Sequence, residues 1–324
     1  MPGSLLPGIF FGNDMNDTTT TGNNTTDFQS DNLQRFIFDN APVRGEWVHL
    51  QETWQQVLSQ RDYPKAVQKL LGEMMAAAAL LAATVKMKGR LVLQIKSTGP
   101  VSLLMVECTS EDTLRAFAQW QGDIDDDAAL TEVTGEGHLA ITIEVEGAKQ
   151  PYQGVVGIQA DSIAGLLEAY FKQSEQLDTR IWLSADEASA AGLFLQQLPS
   201  EDEMSNHDDE ENWSRISQLA ATVTAIELLE LGAGTLLHRL FHEEECRLLA
   251  DTDLSFACKC SREKVAATIN LLGKQDALDL VEDQGSIEVA CEFCNEQYHF
   301  DKVDVTQLFA NEVVATEPES PTLH

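Results

Sequence analysis

The stretch FACKCSREKVAATINLLGKQDALDLVEDQGSIEVACEFCNEQYHF, residues 256–300, holds four of the six cysteines in the chain. Cys258 and Cys260 form a C-x-C pair, and Cys291 and Cys294 form a C-x-x-C pair after thirty intervening residues. Each pair can turn two sulfurs toward one ion if the intervening chain folds back. This pattern is typical of a four-thiolate zinc site, although the C-x-C spacer is shorter than the usual two to four residues. We therefore predict one Zn²⁺ per chain, bound by these four cysteines in the reduced state.

The same two pairs are chemically able to act as a switch. A disulfide within either pair closes a loop of only three or four residues and contributes about 1.5–2 kcal/mol. A structural zinc contributes about 10–16 kcal/mol to folding. Oxidation would therefore remove more stability than it returns, and the surrounding module should unfold. A zinc site with a purely structural role remains open at this point, whereas permanent disulfides are disfavoured because nothing else in the chain looks secreted.

The residues between the cysteine pairs predict a small helical module. Ser261 is placed to cap a helix whose Val265, Ile269 and Leu272 share one face, and a second helix should stop at Gly285. Such a small core could not hold the module together without metal. His299 is a weaker ligand candidate, because four thiols already complete a zinc site.

The segments FACKCSREK and CEFCNEQYHF resemble the C-terminal redox switch of the thirty-three-kilodalton heat-shock chaperonins, the holdases activated by oxidation. The resemblance covers about residues 34–310, and the first 33 residues fall outside it. Asp178 and Lys264 stand where that family often has proline and arginine, and neither is a predicted ligand. The other matching segments are RFIFDNAPVRGE (35–46), YQGVVGI (152–158), YFKQSEQLDTR (170–180) and LLHRLFHEEE (236–245).

This resemblance implies a redox-regulated, ATP-independent chaperone, not an enzyme, that binds unfolding client proteins under oxidative stress. It implies that the reduced, zinc-bound protein is inactive. It also implies that oxidants expel the zinc and form the Cys258–Cys260 and Cys291–Cys294 disulfides, and that the oxidised protein is a homodimer. A constitutive zinc-stabilised interaction adaptor is the alternative from another class. A metal-free hydrolase is disfavoured because no nucleophile or acid–base constellation emerges.

Charge and hydropathy argue against nucleic-acid and membrane partners. The formal net charge is −32, and residues 256–300 carry four basic against eight acidic residues, so the zinc module has no basic footprint for phosphates. The longest apolar run, Met74 to Val85, is shorter than the roughly 20 residues of a membrane span. No secretory signal is visible, and clustered thiols fit a reducing cytosol, so we predict a cytoplasmic protein.

Strand-like runs mixed with a few helices, without strict alternation, predict an α+β core. Its central element should be a helix from Pro64 to about Lys86, whose small apolar residues allow close packing on every side. Cys108 and Cys246 are interpreted as non-catalytic thiols. We predict a disordered tail over 1–33 (with Met15 as a candidate start), an α+β core over 34–200, an acidic and helical linker over 201–255, the zinc-binding redox module over 256–310 and a tail over 311–324.

The linker begins with a charge run, in which residues 201–211 include seven acids, a composition typical of a solvated segment. Residues 213–231 then predict one amphipathic helix, and Leu236 to Phe241 begins another. This segment has an apolar face but no core of its own, so it must lie on a neighbour to be stable.

Overall fold

The computed structural model describes residues 31–85, 88–199 and 206–314, which form two compact units divided between Ala257 and Cys258. Nearly all of the predicted tail over 1–33, with Met15, and most of the tail over 311–324 lie outside the described residues. The predicted boundary between core and linker remains a prediction, because both segments belong to the first unit.

The first unit contains two sheets and most of the helices. Its strands are β1 (Asn32–Phe38), β2 (Val43–Leu50), β3 (Gly89–Ser97), β4 (Val101–Thr109), β5 (Thr113–Trp120), β6 (Gly137–Val145), β7 (Tyr152–Gly157), β8 (Thr179–Ala185), β9 (Ala190–Gln197), β10 (Cys246–Asp253) and β11 (Ser255–Phe256). Its helices are α1 (Glu52–Leu58), α2 (Lys65–Thr84), α3 (Leu130–Thr134), α4 (Ile163–Tyr170), α5 (Asn206–Ala220), α6 (Ala225–Glu230) and α7 (Ala233–Phe241), and a π-helical turn, Phe171–Glu175, follows α4.

The described strands of this unit form a five-stranded sheet in the order β10-β1-β2-β9-β8 and a six-stranded sheet in the order β11-β5-β4-β3-β6-β7. Neighbouring strands are antiparallel, except that β11 runs parallel to β5. Antiparallel sheets combined with helices that do not alternate with the strands define an α+β fold. The predicted fold class is confirmed.

Helix α2 is the central core helix that its small residues predicted. Met74 to Leu81 are nearly all inaccessible to solvent, and α2 packs on strands of both sheets. A Cβ atom at Gly72 would lie 2.5 Å from the Cβ of Ala185, so the absence of a side chain lets helix and sheet approach closely. The helix is long and apolar enough to cross a membrane by length and composition alone. However, 78% of its apolar window is buried in the protein, as expected of a core helix.

The inner strands β2 and β9 of the five-stranded sheet are buried on both faces. Successive side chains of a strand point to opposite faces, and β2 shows both environments. Val48 and Leu50 join the core around α2, whereas Val43 and Trp47 join a second apolar cluster on the outer face. The residues that cover this outer face come from the linker helices α5, α6 and α7, namely Ile216, Ala220, Leu228, Leu236, Leu237, Leu240 and Phe241. The linker is therefore docked on a neighbour, as its single apolar face required.

Two features of the linker differ from the sequence analysis. The single helix predicted over 213–231 is wrong, because α5 ends at Ala220 and α6 begins at Ala225. The break is made by a capping box: the Thr224 amide donates to the Glu227 carboxylate (2.9 Å), and the Glu227 amide donates to the Thr224 hydroxyl (3.2 Å). Strand β10, which the sequence analysis did not predict, returns the end of the linker to β1.

The second unit is small and contains α8 (Arg262–Leu272), α9 (Lys274–Gln284), β12 (Ile287–Ala290), β13 (Gln297–Phe300) and α10 (Lys302–Val314). The N-cap at Ser261 is confirmed, since its hydroxyl accepts a hydrogen bond from the Lys264 amide at 3.3 Å. Gly285 ends α9 with a φ of 86°, a conformation that favours glycine. Strands β12 and β13 form an antiparallel hairpin.

Candidate metal centre

The four predicted cysteines meet in the second unit. The sulfurs of Cys258, Cys260, Cys291 and Cys294 all lie within 4.8 Å of one another, and each side chain is partly buried. Two of the contacts run between the sequence pairs, with 3.7 Å from Cys258 Sγ to Cys291 Sγ and 3.3 Å from Cys260 Sγ to Cys294 Sγ. All six cysteines of the chain are free thiols. The chain between the two cysteine pairs therefore folds back and brings the pairs together, as the sequence analysis expected.

The spacing of the sulfurs fits a single metal ion. A tetrahedral zinc with sulfurs about 2.3 Å away places its ligands about 3.8 Å from one another. The separations of 3.3 and 3.7 Å, within an outer limit of 4.8 Å, need only small adjustments to reach that geometry. The cluster can hold one metal ion, and four thiolates are the ligand set that zinc prefers in closed sites.

A tight hairpin loop presents the second cysteine pair. The loop joins Ala290 to Gln297, which face each other across β12 and β13. The Cys291 carbonyl accepts from the Asn295 amide at 2.8 Å, and the Cys291 amide donates to the Glu296 carbonyl at 2.9 Å. Asn295 supplies the required turn with a φ of 54°, a region that asparagine tolerates better than most residues. This backbone geometry turns both sulfurs to the same side.

Arg262 ties the first cysteine pair to the hairpin. It follows the C-x-C pair by two residues, and its guanidinium lies 4.2 Å from the centre of the Phe300 ring. The same side chain donates to the His299 carbonyl at 2.6 Å and pairs with the Asp304 carboxylate at 2.8 Å. These contacts join the start of α8 to β13 and α10, so they hold the two cysteine pairs in one arrangement.

Tyr298 is a contact that the sequence analysis missed. Its hydroxyl donates to Cys260 Sγ at 3.1 Å, and this hydrogen bond raises the pKa of the tyrosine. Burial raises the pKa of the Cys294 thiol, and hydrogen bonds with the neighbouring thiols raise it further. A donor beside a sulfur is typical of the groups that orient metal ligands. The strand pattern of residues 297–300 could have indicated this contact. Successive side chains of a strand point to opposite faces, so Tyr298 and His299 cannot both face the cysteines.

The apolar core around this centre is small. Its buried members are Ala266, Ile269, Ala277, Val281, Ile287, Phe300, Val305 and Phe309. The predicted apolar face of α8 is correct for Ile269 and Val265, but Leu272 is 52% exposed and takes no part. The dependence of this module on metal stays a prediction, based on the small size of this core.

The remaining ligand and thiol candidates lie elsewhere. The side chain of His299 is 62% exposed and faces Glu288 at 3.6 Å, and it is not part of the four-sulfur cluster. Cys108 is buried, and burial raises its pKa to about 12. Burial and the nearby Asp39 carboxylate raise the pKa of Cys246 to about 11. Both thiols are therefore poor nucleophiles near neutral pH, because the thiolate is the reactive form.

Comparison with known proteins agrees with this architecture. The family model described as Hsp33 protein matches residues 31–301. The 33 kDa chaperonin of Methylobacillus flagellatus is 46% identical over 286 residues, which are 88% of this chain and 96% of the relative. The 33 kDa chaperonin of Nitrosococcus oceani is 47% identical over 294 residues, or 91% and 99% of the two chains.

A solved structure shares the fold. The crystal structure of the 33 kDa chaperonin, a heat shock protein 33 homolog, from Thermotoga maritima superposes with a TM-score of 0.76 at 23% identity. The match covers 88% of this chain and 99% of that one.

An α+β unit followed by a small module with four clustered thiols is thus the architecture of a molecular chaperone with a candidate metal centre. The chain belongs to the Hsp33 protein family.

Proposed function

We propose that this chain is an ATP-independent holdase whose four-cysteine centre binds zinc and keeps it inactive until oxidation. The observation that carries the proposal is the approach of Cys258, Cys260, Cys291 and Cys294 to within 4.8 Å of one another inside a module with a small apolar core. Zinc bound there would contribute about 10–16 kcal/mol, which is comparable to the whole stability of a typical domain.

The proposed switch is a two-step oxidation. Two thiolates and one peroxide give a disulfide and, with two protons, two molecules of water. Two peroxides therefore convert the four thiolates into the Cys258–Cys260 and Cys291–Cys294 disulfides and release Zn²⁺. These short-loop disulfides contribute about 1.5–2 kcal/mol each, so the module loses most of the stability that the metal supplied. We expect it to unfold as a unit.

The linker is the part of the chain that transmits this loss in our proposal. It covers the outer face of the five-stranded sheet with seven buried apolar side chains from α5, α6 and α7, and its last strand, β10, ends five residues before Cys258. If unfolding of the module loosens the linker, the apolar side chains of both surfaces become available. Unfolding clients expose apolar surface of their own, so the two should associate.

The other expectations follow from the family resemblance and the charge. We propose unfolded proteins as partners, a cytoplasmic location and a homodimeric active form. With a net charge of −32, binding to nucleic acid at physiological salt should be negligible. No membrane partner is proposed, because the apolar helix α2 is a core element.

One experiment separates the switch from a constitutive zinc-stabilised adaptor. Reduced protein is treated with peroxide under mild heat, and zinc release, protease cleavage after about residue 205 and suppression of client aggregation are followed together. All three should appear on oxidation and reverse with dithiothreitol and zinc. Replacing Cys291 and Cys294 by serine should remove the oxidant dependence, whereas the control Cys108→Ser/Cys246→Ser should behave as wild type.

The outcome that contradicts the proposal is specific. If the oxidised protein releases its zinc, yet keeps its linker protected and suppresses no aggregation, the centre has only a structural role. X-ray absorption of the reduced protein should show four sulfur ligands, and a mixed sulfur–nitrogen shell would contradict the predicted ligand set.

A further inference from the structure

Strand β10 is attached to the first unit in an unusual way. It lies at the edge of the five-stranded sheet, next to β1, within the part of the chain that the structure describes. None of its eight side chains is buried: Cys246 and Thr252 are half-buried, and the other six are exposed. Leu248 and Leu249 are 46% and 39% exposed. Strand β10 therefore gains little from the burial of apolar surface.

Polar contacts and the backbone ladder hold β10 in place. Arg247 pairs with Asp39 at 2.8 Å, but both side chains are about half exposed, and an exposed ion pair adds little to stability. At the other end the Arg35 guanidinium donates to the Thr252 hydroxyl at 3.1 Å. The antiparallel ladder itself runs from Asn32 opposite Asp253 to Phe38 opposite Cys246. Backbone hydrogen bonds of this kind do not depend on the sequence of the strand that makes them.

Strand β1 differs from β10 because it is fixed in the core. Leu33 belongs to the apolar core around α2, whereas Phe36 and Phe38 belong to the outer cluster covered by the linker. On its other side β1 pairs with β2 over Asn32–Ile37. If β10 leaves, β1 remains as an ordered sheet edge with unpaired backbone groups. Such an edge is a template for an added strand.

We infer that β10 occupies in cis the position that an extended segment of an unfolding client takes once the linker is released. The client strand would bond to the exposed edge of β1, and its alternate side chains would meet the outer-face cluster beside Phe36 and Phe38. This inference rests on the proposed holdase function and adds the mode of recognition, which is β-strand addition. Main-chain bonding explains how one surface accepts clients of many sequences, with a preference for alternating apolar residues.

The structure identifies backbone groups that report on this exchange. The Asp39 amide donates to the Glu245 carbonyl at 3.0 Å, so it points to the β10 side of β1. The alternation of hydrogen bonds along an antiparallel strand directs the Ile37 amide to the same side. Both amides should be protected by β10 in the inactive protein, open after activation, and protected again by a bound client.

The test uses a background in which the metal switch is absent. Cys258, Cys260, Cys291 and Cys294 are replaced by serine, and Cys246→Ser removes a nearby thiol. By the proposed function this protein is active without oxidant, and its inactivity would count against that function rather than against strand exchange. Gln34 and Asp251 face each other across β1 and β10, just before a shift in register. Residues directly opposite in an antiparallel ladder have Cα atoms about 4.5–5.5 Å apart, which lies within the disulfide range of about 4.4–6.8 Å. The variant Gln34→Cys/Asp251→Cys can therefore lock β10 in place.

A matched control comes from the six-stranded sheet, where Thr142 and Gln153 face each other across β6 and β7. Thr142→Cys/Gln153→Cys in the same background should form its disulfide without affecting client binding. The closed β1–β10 disulfide should raise the chaperone concentration needed for half-suppression of aggregation by on the order of tenfold. Reduction of this disulfide with dithiothreitol should restore the activity. Equal activity of the open and closed β1–β10 variant would overturn the inference.

Hydrogen exchange then distinguishes strand addition from simple release of the linker. In the serine background without an engineered disulfide, a saturating unfolded client should slow hydrogen exchange of the Ile37 and Asp39 amides by about tenfold or more. Aggregation suppression with unchanged exchange at both amides would show that clients bind elsewhere and would refute the proposed exchange.

Discussion

Truncation of Phe241, the last residue of α7, should activate the protein without any oxidant. Its side chain is 1% exposed and packs against two phenylalanines of β1. The Phe38 ring lies 5.0 Å away at 90°, and the Phe36 ring lies 6.2 Å away. Phe241 is thus a main apolar contact by which the linker is docked on the sheet, and it is not part of the four-cysteine cluster.

The expected magnitude follows from the burial of this side chain. Phe→Ala at a fully buried site costs about 3–5 kcal/mol. Since every 1.4 kcal/mol is about a factor of ten, the equilibrium between docked and released linker should shift by about 10²-fold to several thousandfold. This loss of free energy weakens the docking of the linker and not the sheet, because Phe36 and Phe38 remain in place in β1. The metal centre should be unaffected.

The assay compares reduced Phe241→Ala with reduced wild type in suppression of client aggregation, with zinc content measured on the same samples. We expect activity with one zinc still bound and protease cleavage within residues 206–241. The control is Ile226→Ala, a truncation in the same linker of a side chain that is 65% exposed, which should stay inactive when reduced. A Phe241→Ala protein with a cleavable linker but no activity would refute the reasoning that release of the linker exposes the client surface.

Three further predictions concern the core and the metal centre. Burial raises the pKa of Glu46, which is 3% exposed, to about 7; the folded state therefore binds a proton that the unfolded state releases near pH 4–5, and stability should fall as pH rises to about 7. Glu46→Gln should raise stability at pH 8 by about 1–3 kcal/mol and change it little at pH 4, as measured by urea denaturation. Arg262→Gln removes the contacts with Phe300 and Asp304 and should lower zinc retention against a chelator by about tenfold, while the melting of the first unit stays unchanged. Tyr298→Phe removes the hydroxyl beside Cys260 and should accelerate zinc loss to peroxide without changing the metal stoichiometry, which zinc release kinetics would test.

Much of this architecture could be predicted from short-range patterns. The spacing of Cys258, Cys260, Cys291 and Cys294 specified the cluster, because pairs separated by one or two residues cannot point far apart. The small apolar residues of α2 specified a helix buried on all sides, and Ser261 and Gly285 marked helix ends through local hydrogen bonding and backbone conformation. The break before α6 has a local signal, Thr224 followed three residues later by Glu227, but the prediction of one helix rested on the apolar stripe alone.

Long-range pairing was decided only by the tertiary structure. Strand β10 has no alternation of apolar and polar side chains, since nearly all of them face solvent; it is a strand because β1, more than 200 residues earlier, offers it a backbone ladder. Two other features also depend on the tertiary structure. Burial by segments distant in sequence raises the pKa of Glu46. The β12–β13 hairpin brings the Tyr298 hydroxyl to Cys260. Sequence patterns record which face of an element is apolar, whereas the identity of the surface that covers it depends on contacts that no local pattern contains.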